Sequence, residues 1–122
     1  MTNTVLISTA FKRDAKPLAK KYKTLKVSID LLIENLAKDP FLGDAYGHNI
    51  FKVRLSGESK GVGKRGGFRV MYYHLNKTSA GIEVLLMSIY DKSARSTIKK
   101  IDAIKMLNDI LNEHEAAKRA KP

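Results

Sequence analysis

The chain has 122 residues and carries 23 Lys and Arg against 12 Asp and Glu, a formal charge of +11. That length suits one domain, and 43% hydrophobic residues are enough for a core and too many for a disordered composition. The absence of cysteine excludes a disulfide framework, thiolate metal ligation and thiol catalysis. No apolar run approaches the roughly 18 residues of a membrane span. The N-terminal MTNTVLISTAFKRD has no basic segment ahead of a long apolar one, so it does not read as a secretory signal. A soluble, cytoplasmic, strongly basic domain with no membrane partner is the expectation.

TVLIS at 4–8 is a short apolar run of strand character. After it, Phe11, Ala15, Leu18, Tyr22, Leu25, Ile29, Leu32, Ile33 and Leu36 recur mostly at steps of three and four, a helical period. Pro17 lacks an N–H and forbids one straight helix. The pattern therefore predicts a short or kinked helix near 9–22 and a second near 25–38, stopped by Asp39-Pro40. From residue 50 the period becomes two. In IFKVRL, Phe51, Val53 and Leu55 face one way and Lys52 and Arg54 the other. In FRVMYYHL, Phe68, Val70, Tyr72 and His74 alternate with Arg69, Met71, Tyr73 and Leu75. IEVLLMSIY at 82–90 is apolar on both faces and suits a buried central strand. Asn76 to Gly81 has hairpin-turn chemistry. Ile98, Ile101, Ile104, Leu107, Ile110 and Leu111 form a last helical stripe, entered through Ser96 or Thr97 as a cap.

The fold class expected is α+β, with two N-terminal helices packed on one face of a small antiparallel sheet and a C-terminal helix. Residues 1–112 make the single domain. The end of the chain, 113–122, has no apolar face worth burying and reads as a frayed tail.

The positive charge is spread along the chain, with a surplus of five in residues 1–60 and six in residues 61–122. Such an excess points to a polyanionic partner, and nucleic acid fits better than a membrane, which usually calls for an amphipathic helix with exposed aromatics.

Gly61, Gly63 and Gly66 satisfy the spacing G-x-G-x-x-G, but a strand follows where a dinucleotide site needs a helix. Gly57 and Gly63 are one residue too far apart for a phosphate-binding P-loop, and Arg65 stands where Ser or Thr would hold magnesium. What remains is a long basic connection, SGESKGVGKRGG, whose Lys60, Lys64 and Arg65 are candidate contacts to an RNA phosphate chain.

If Phe51, Val53 and Leu55 pack on the helices, Lys52 and Arg54 lie on the opposite sheet face, joined by Arg69 and Tyr73. Tyr90 and Lys92 arrive there from the end of the third long strand. Cations gathered so closely repel one another unless an anion is bound. Cleavage of RNA without a metal needs a base for the 2′-hydroxyl, charge stabilisation at the phosphate and an acid for the leaving oxygen. Lys and Tyr can exchange protons there, and Arg suits bidentate phosphate contact. His48, His74 and His114 are scattered, give no metal spacing and are not chosen as catalysts.

The runs FKVRL, GKRGGFRVMYY and LLMSIYDKS, with FKRDAKPLAKKYKTL and IENLAKDPFLGD before them, resemble the RelE/ParE superfamily of toxins from bacterial type II toxin–antitoxin modules. The HigB-type, RelE-like branch is the nearest, and the resemblance spans roughly residues 5–100. It implies two helices against an antiparallel sheet, and a ribosome-dependent mRNA interferase that cuts mRNA in the A site without a cofactor or metal. By position, Lys52 and Arg54 correspond to the family's basic pair, Arg69 to its phosphate-stabilising arginine and Lys92 to a further basic residue. Where RelE itself carries a catalytic tyrosine this chain has Ile98, and Tyr90 is the tyrosine available. The partners implied are the ribosome, mRNA and a cognate antitoxin, a small DNA-binding protein. Two other functions share these features: a ParE-like toxin that inhibits DNA gyrase, and a non-catalytic RNA-binding module.

Overall fold

A computed structural model describes residues 3–55, 67–93 and 98–120. The order is β1 (Thr4–Ile7), α1 (Thr9–Lys21), α2 (Leu25–Lys38), β2 (Asp44–Gly47), β3 (Ile50–Leu55), β4 (Phe68–Thr78), β5 (Gly81–Asp91) and α3 (Lys100–Ala120). The class is the expected α+β. One five-stranded sheet runs β1-β5-β4-β3-β2, antiparallel except that β1 pairs in parallel with β5. β5 is therefore an interior strand, between β1 and β4, and helices cover it on both faces, which accounts for its apolar residues on each.

Local chemistry sets the boundaries. Ser8 caps α1, its Oγ accepting from the Phe11 amide at 3.0 Å. Pro17 sits inside α1 on its exposed side. Asp39 leaves helical geometry at φ −137 ahead of Pro40 and ends α2, its Oδ1 accepting from the Phe41 amide at 3.0 Å. The turn between β4 and β5 is tighter than the sequence suggests. Asn76, Lys77 and Thr78 belong to β4, leaving Ser79 and Ala80 to connect it to β5. The segment 113–120, expected to fray, continues α3 as helix to Ala120. Ser96 and Thr97, the expected caps, lie outside the described residues.

The sheet is covered on both faces. Phe11 of α1 and Leu25, Leu32 and Leu36 of α2 pack with Val70, Tyr72 and Leu86 on one side. Ala103, Leu107 and Ile110 of α3 pack with Ile50, Met71, Leu85 and Met87 on the other. Two β-bulges adjust the register between β4 and β5. Met71 pairs with Ser88 and Tyr72 with Leu86, so Met87 is an extra residue in β5; Leu75 is likewise extra in β4.

The sequence reading lacked β2. Its DAYG carries no alternation and depends on its neighbours. His48 and Asn49, at φ 55 and 64, form the two-residue turn that folds it onto β3. Gly43, at φ +85, lies so close to β3 that an added Cβ would stand 2.2 Å from the Lys52 carbonyl oxygen. Gly43→Ala therefore costs about 2–4 kcal/mol through backbone strain and overpacking, read as a lower Tm. An unchanged Tm would refute this close approach.

Candidate functional site

Three strands bring Arg54, Arg69 and Tyr90 into one row. Arg54 pairs with Arg69 across β3 and β4, and Arg69 with Tyr90 across β4 and β5. Directly opposed side chains start about 4.5–5.5 Å apart at Cβ. The row lies on the sheet face that α3 partly covers. Arg54 is exposed, whereas Arg69 and Tyr90 are 5% and 6% exposed. Burial lowers the Arg69 pKa, the Arg54 guanidinium lowers it further, and Tyr90 opposes the shift. The Arg69 guanidinium is tethered, Nη1 donating to the Phe68 carbonyl at 3.2 Å. A desolvated, tethered guanidinium facing a second one forms a site that gains from an anion.

Lys52 stands one row further along the same face, where it pairs with Met71. Its Nζ lies 5.2 Å from the centroid of the Tyr46 ring, a cation–π contact. The Tyr46 hydroxyl donates to the Ile98 carbonyl and so ties β2 to the chain entering α3. The sequence reading missed Tyr46 because β2 was not recognised. An aromatic four residues ahead of the period-two run that begins at Ile50 was the available signal.

Lys92 follows the last residue of β5, and its amide donates to the Gly67 carbonyl at 3.0 Å. Asp91 fixes this turn. It accepts from the Ser93 amide at 3.0 Å, from the Ser93 hydroxyl at 2.7 Å and from the Tyr22 hydroxyl at 3.2 Å. Tyr22 also packs edge-on against Phe68, the neighbour of Arg69, at 5.2 Å. Asp91 and Tyr22 thus position the site's outer end, and the alternation of the strand does not reveal this.

Tyr73 shares the face of Arg69, as parity predicts, but two strand rows away. It pairs with Ile50 and Leu85 and packs among the α3 cluster, apart from the cationic row. Lys60, Lys64 and Arg65 lie outside the described residues. Ile98 is 3% exposed and packed beneath α3.

The histidines stand elsewhere. His48 occupies the β2–β3 turn and His114 lies on α3. His74 is 2% exposed, its ring 4.4 Å from that of Phe51 and 5.0 Å from that of Phe41. Its Nε2 lies 2.5 Å from the Pro40 carbonyl oxygen, which can only accept, so Nε2 carries the hydrogen. Nδ1 is buried with no hydrogen-bond partner among the described residues. The neighbouring Tyr72 hydroxyl donates to the Leu42 carbonyl at 2.5 Å, and burial, followed by Asp39, raises its pKa. His74 and Tyr72 together clamp residues 40–42, which lead into Gly43 and the back of Lys52.

Among the described residues, no three His, Cys, Asp or Glu side chains gather as a metal site requires. No helix among them is long and apolar enough to cross a membrane. No protein-family model matches the chain, and no curated protein matches it.

Burial, then Lys77, lowers the His74 pKa, with the Pro40 hydrogen bond acting between them in the opposite sense. The unfolded ring takes up a proton near pH 6.5 and the folded ring only below that. The stability contributed by the neutral ring is therefore complete above about pH 6.5 and is lost as the pH falls towards the folded value. The Tm of the wild type should fall more between about pH 7.5 and pH 5.5 than that of His74→Gln. Parallel pH profiles would show that His74 does not contribute.

Proposed function

We propose that the chain is the toxin of a type II toxin–antitoxin module, a ribosome-dependent endoribonuclease that cuts mRNA in the A site and stops translation. The observation that carries the reading is the Arg54–Arg69–Tyr90 row, with Lys52 one row along the same face and Lys92 just past the end of β5. The resemblance of FKVRL, GKRGGFRVMYY and LLMSIYDKS to RelE-like toxins supports it.

The chemistry follows from what these groups can do. The 2′-oxygen attacks the adjacent phosphorus and gives up its proton to a base. The new O2′–P bond forms as the P–O5′ bond breaks, and an acid protonates the departing O5′. The products are a 2′,3′-cyclic phosphate and a 5′-hydroxyl. Arg69, already desolvated and tethered, needs little reorganisation to stabilise the charge developing on the phosphoryl oxygens. Exposed Arg54 binds a phosphate in bidentate fashion. A guanidinium is a poor proton donor or acceptor, so proton exchange falls to Lys52, Tyr90 and Lys92. A cognate antitoxin, a small DNA-binding protein, covers this row and silences it.

The test uses 5′-labelled mRNA, free and programmed on ribosomes with an empty A site. Cleavage is expected on the ribosome alone, within the A-site codon. Arg69→Gln and Lys52→Ala are expected to slow it by about 10²–10³-fold while the Tm stays near wild type. Arg54→Ala, at an exposed position, checks the row without disturbing the core. Full-rate cleavage by these folded variants would remove them from the site. Cutting of free RNA would remove the ribosome from the mechanism. No cutting at all would favour gyrase inhibition or simple RNA binding.

The stoichiometric toxin–antitoxin complex is expected to be inactive in the same assay. Undiminished cleavage by the intact complex would contradict an antitoxin seated on the row.

A further inference from the structure

We propose that the outer face of α1 is a second nucleic-acid surface, a rail of lysines that binds the phosphodiester backbone of RNA and ends beside the C-terminal end of β5, on the sheet face opposite the row. Residues 12–26 hold six lysines and Arg13 against a single acid, Asp14, a surplus of six within a chain of net +11. Asp14 is already engaged, accepting from the Ser88 hydroxyl at 2.9 Å. Lys26 pairs with Asp30 at 3.5 Å, and the rest of the surplus lies along α1 and just past its end. Lys12, Arg13, Lys16, Lys20 and Lys21 are all exposed. Lys12, Lys16 and Lys20 recur at steps of four and so share one helix face, about 6 Å apart.

The path of α1 gives the rail its direction. Ser8 hydrogen-bonds beside Met87, Asp14 to Ser88 and Tyr22 to Asp91, so the helix runs along the flank of β5 towards its C-terminal end. At that end Lys21 stands over the Tyr22 ring, its Nζ 5.3 Å from the centroid. Tyr22 in turn holds Phe68 and Asp91, so the rail ends against the α1–α2 side of the sheet, one residue along β4 from Arg69, which faces the other side. Thirteen helical residues extend about 20 Å, so the cations line an extended path rather than a point.

The composition of this face selects the partner. The apolar residues of α1, Phe11, Ala15 and Leu18, are spent on the core. Among the described residues the exposed large apolar side chains are Ile7, Val27, Leu31, Phe41 and Ile101, none of them on α1. Insertion into a membrane interface needs such side chains beside the cations. Protein interfaces are built on aromatic and apolar anchors and are depleted in lysine. Lysines without apolar neighbours suit phosphates, which position a nucleic acid without reading its sequence.

The rail lies outside the groups that the cleavage mechanism uses, and binding can be measured apart from cutting, so either can fail alone. The probe is a fluorescent single-stranded RNA, 2′-O-methylated so that it cannot be cut, titrated by anisotropy over a range of salt. The triple variant Lys12→Gln, Lys16→Gln, Lys20→Gln is compared with Lys99→Gln, Lys105→Gln, Lys118→Gln, which removes equal charge around α3. The rail variant is expected to bind at least about tenfold more weakly at 0.1 M salt, with a log–log salt slope shallower by about 2. The α3 variant should lose less than half as much. Equal losses in both variants would reduce the effect to net charge and overturn the rail, as would an unchanged rail variant. A loss on duplex DNA but not on RNA, or on phosphatidylserine vesicles alone, would overturn the assignment to RNA.

Discussion

A single extra residue in β5 decides what the rest of the site can be. Val84 and Leu86 point into the core beneath α1 and α2, and strict alternation from them would send residues 88 and 90 the same way. The bulge at Met87 reverses that parity. Met87 joins the α3 side, Ile89 returns to the α1–α2 core, and Tyr90 emerges opposite Arg69. The same shift aims Asp91 at Tyr22 and so docks the end of α1 against the end of β5. The place of Tyr90 in the row, the turn holding Lys92 and the docking of the end of α1 all depend on one irregularity in a buried strand. Bulges commonly redirect side chains next to functional sites in this way.

That irregularity also marks where the sequence ceases to be informative. The helices at 9–21 and 25–38 were legible within a residue, because an amphipathic stripe with an Asp-Pro stop leaves little freedom. The alternation of β3 and β4 gave the faces of Lys52, Arg54 and Arg69 correctly. In β5, apolar residues fill both sides, so no polar alternation could report a parity change at Met87. β2 was invisible for a different reason. Its four residues carry no β-pattern and are held by a left-handed His48–Asn49 turn and by a Gly43 pressed on β3. Tyr46 was lost with it.

Tyr73 illustrates a third limit. Parity put it on the right face, but which half of that face α3 would cover is a tertiary fact with no local signature. α3 covers the half containing Ile50, Tyr73 and Leu85 and leaves Arg54 exposed at the other end. The parallel pairing of β1 with β5 belongs to the same class of fact. A four-residue apolar strand suits any open edge, and the return of the chain through α1 along β5 selects this one.

The two groups of cations differ in a way that matters physically. Arg69 is desolvated, tethered to the Phe68 carbonyl and opposed by Arg54, so its charge is costly in the free protein and fixed in position. A cation in that state interacts strongly with a localised negative charge, and ionic strength screens the interaction little because water and salt are excluded around it. The α1 lysines are solvated and mobile on long stems, so each contact with an anion is weak, salt-sensitive and tolerant of the anion's position. A polyanion is met first by the solvated charges, whose field extends over about a Debye length. Only a phosphate placed at the end of β5 meets Arg69. In the proposed reading, the difference in burial between α1 and the row is what separates holding a nucleic acid from acting on one of its phosphates. The bulge at Met87 contributes to it by bringing Tyr90, itself buried, opposite Arg69.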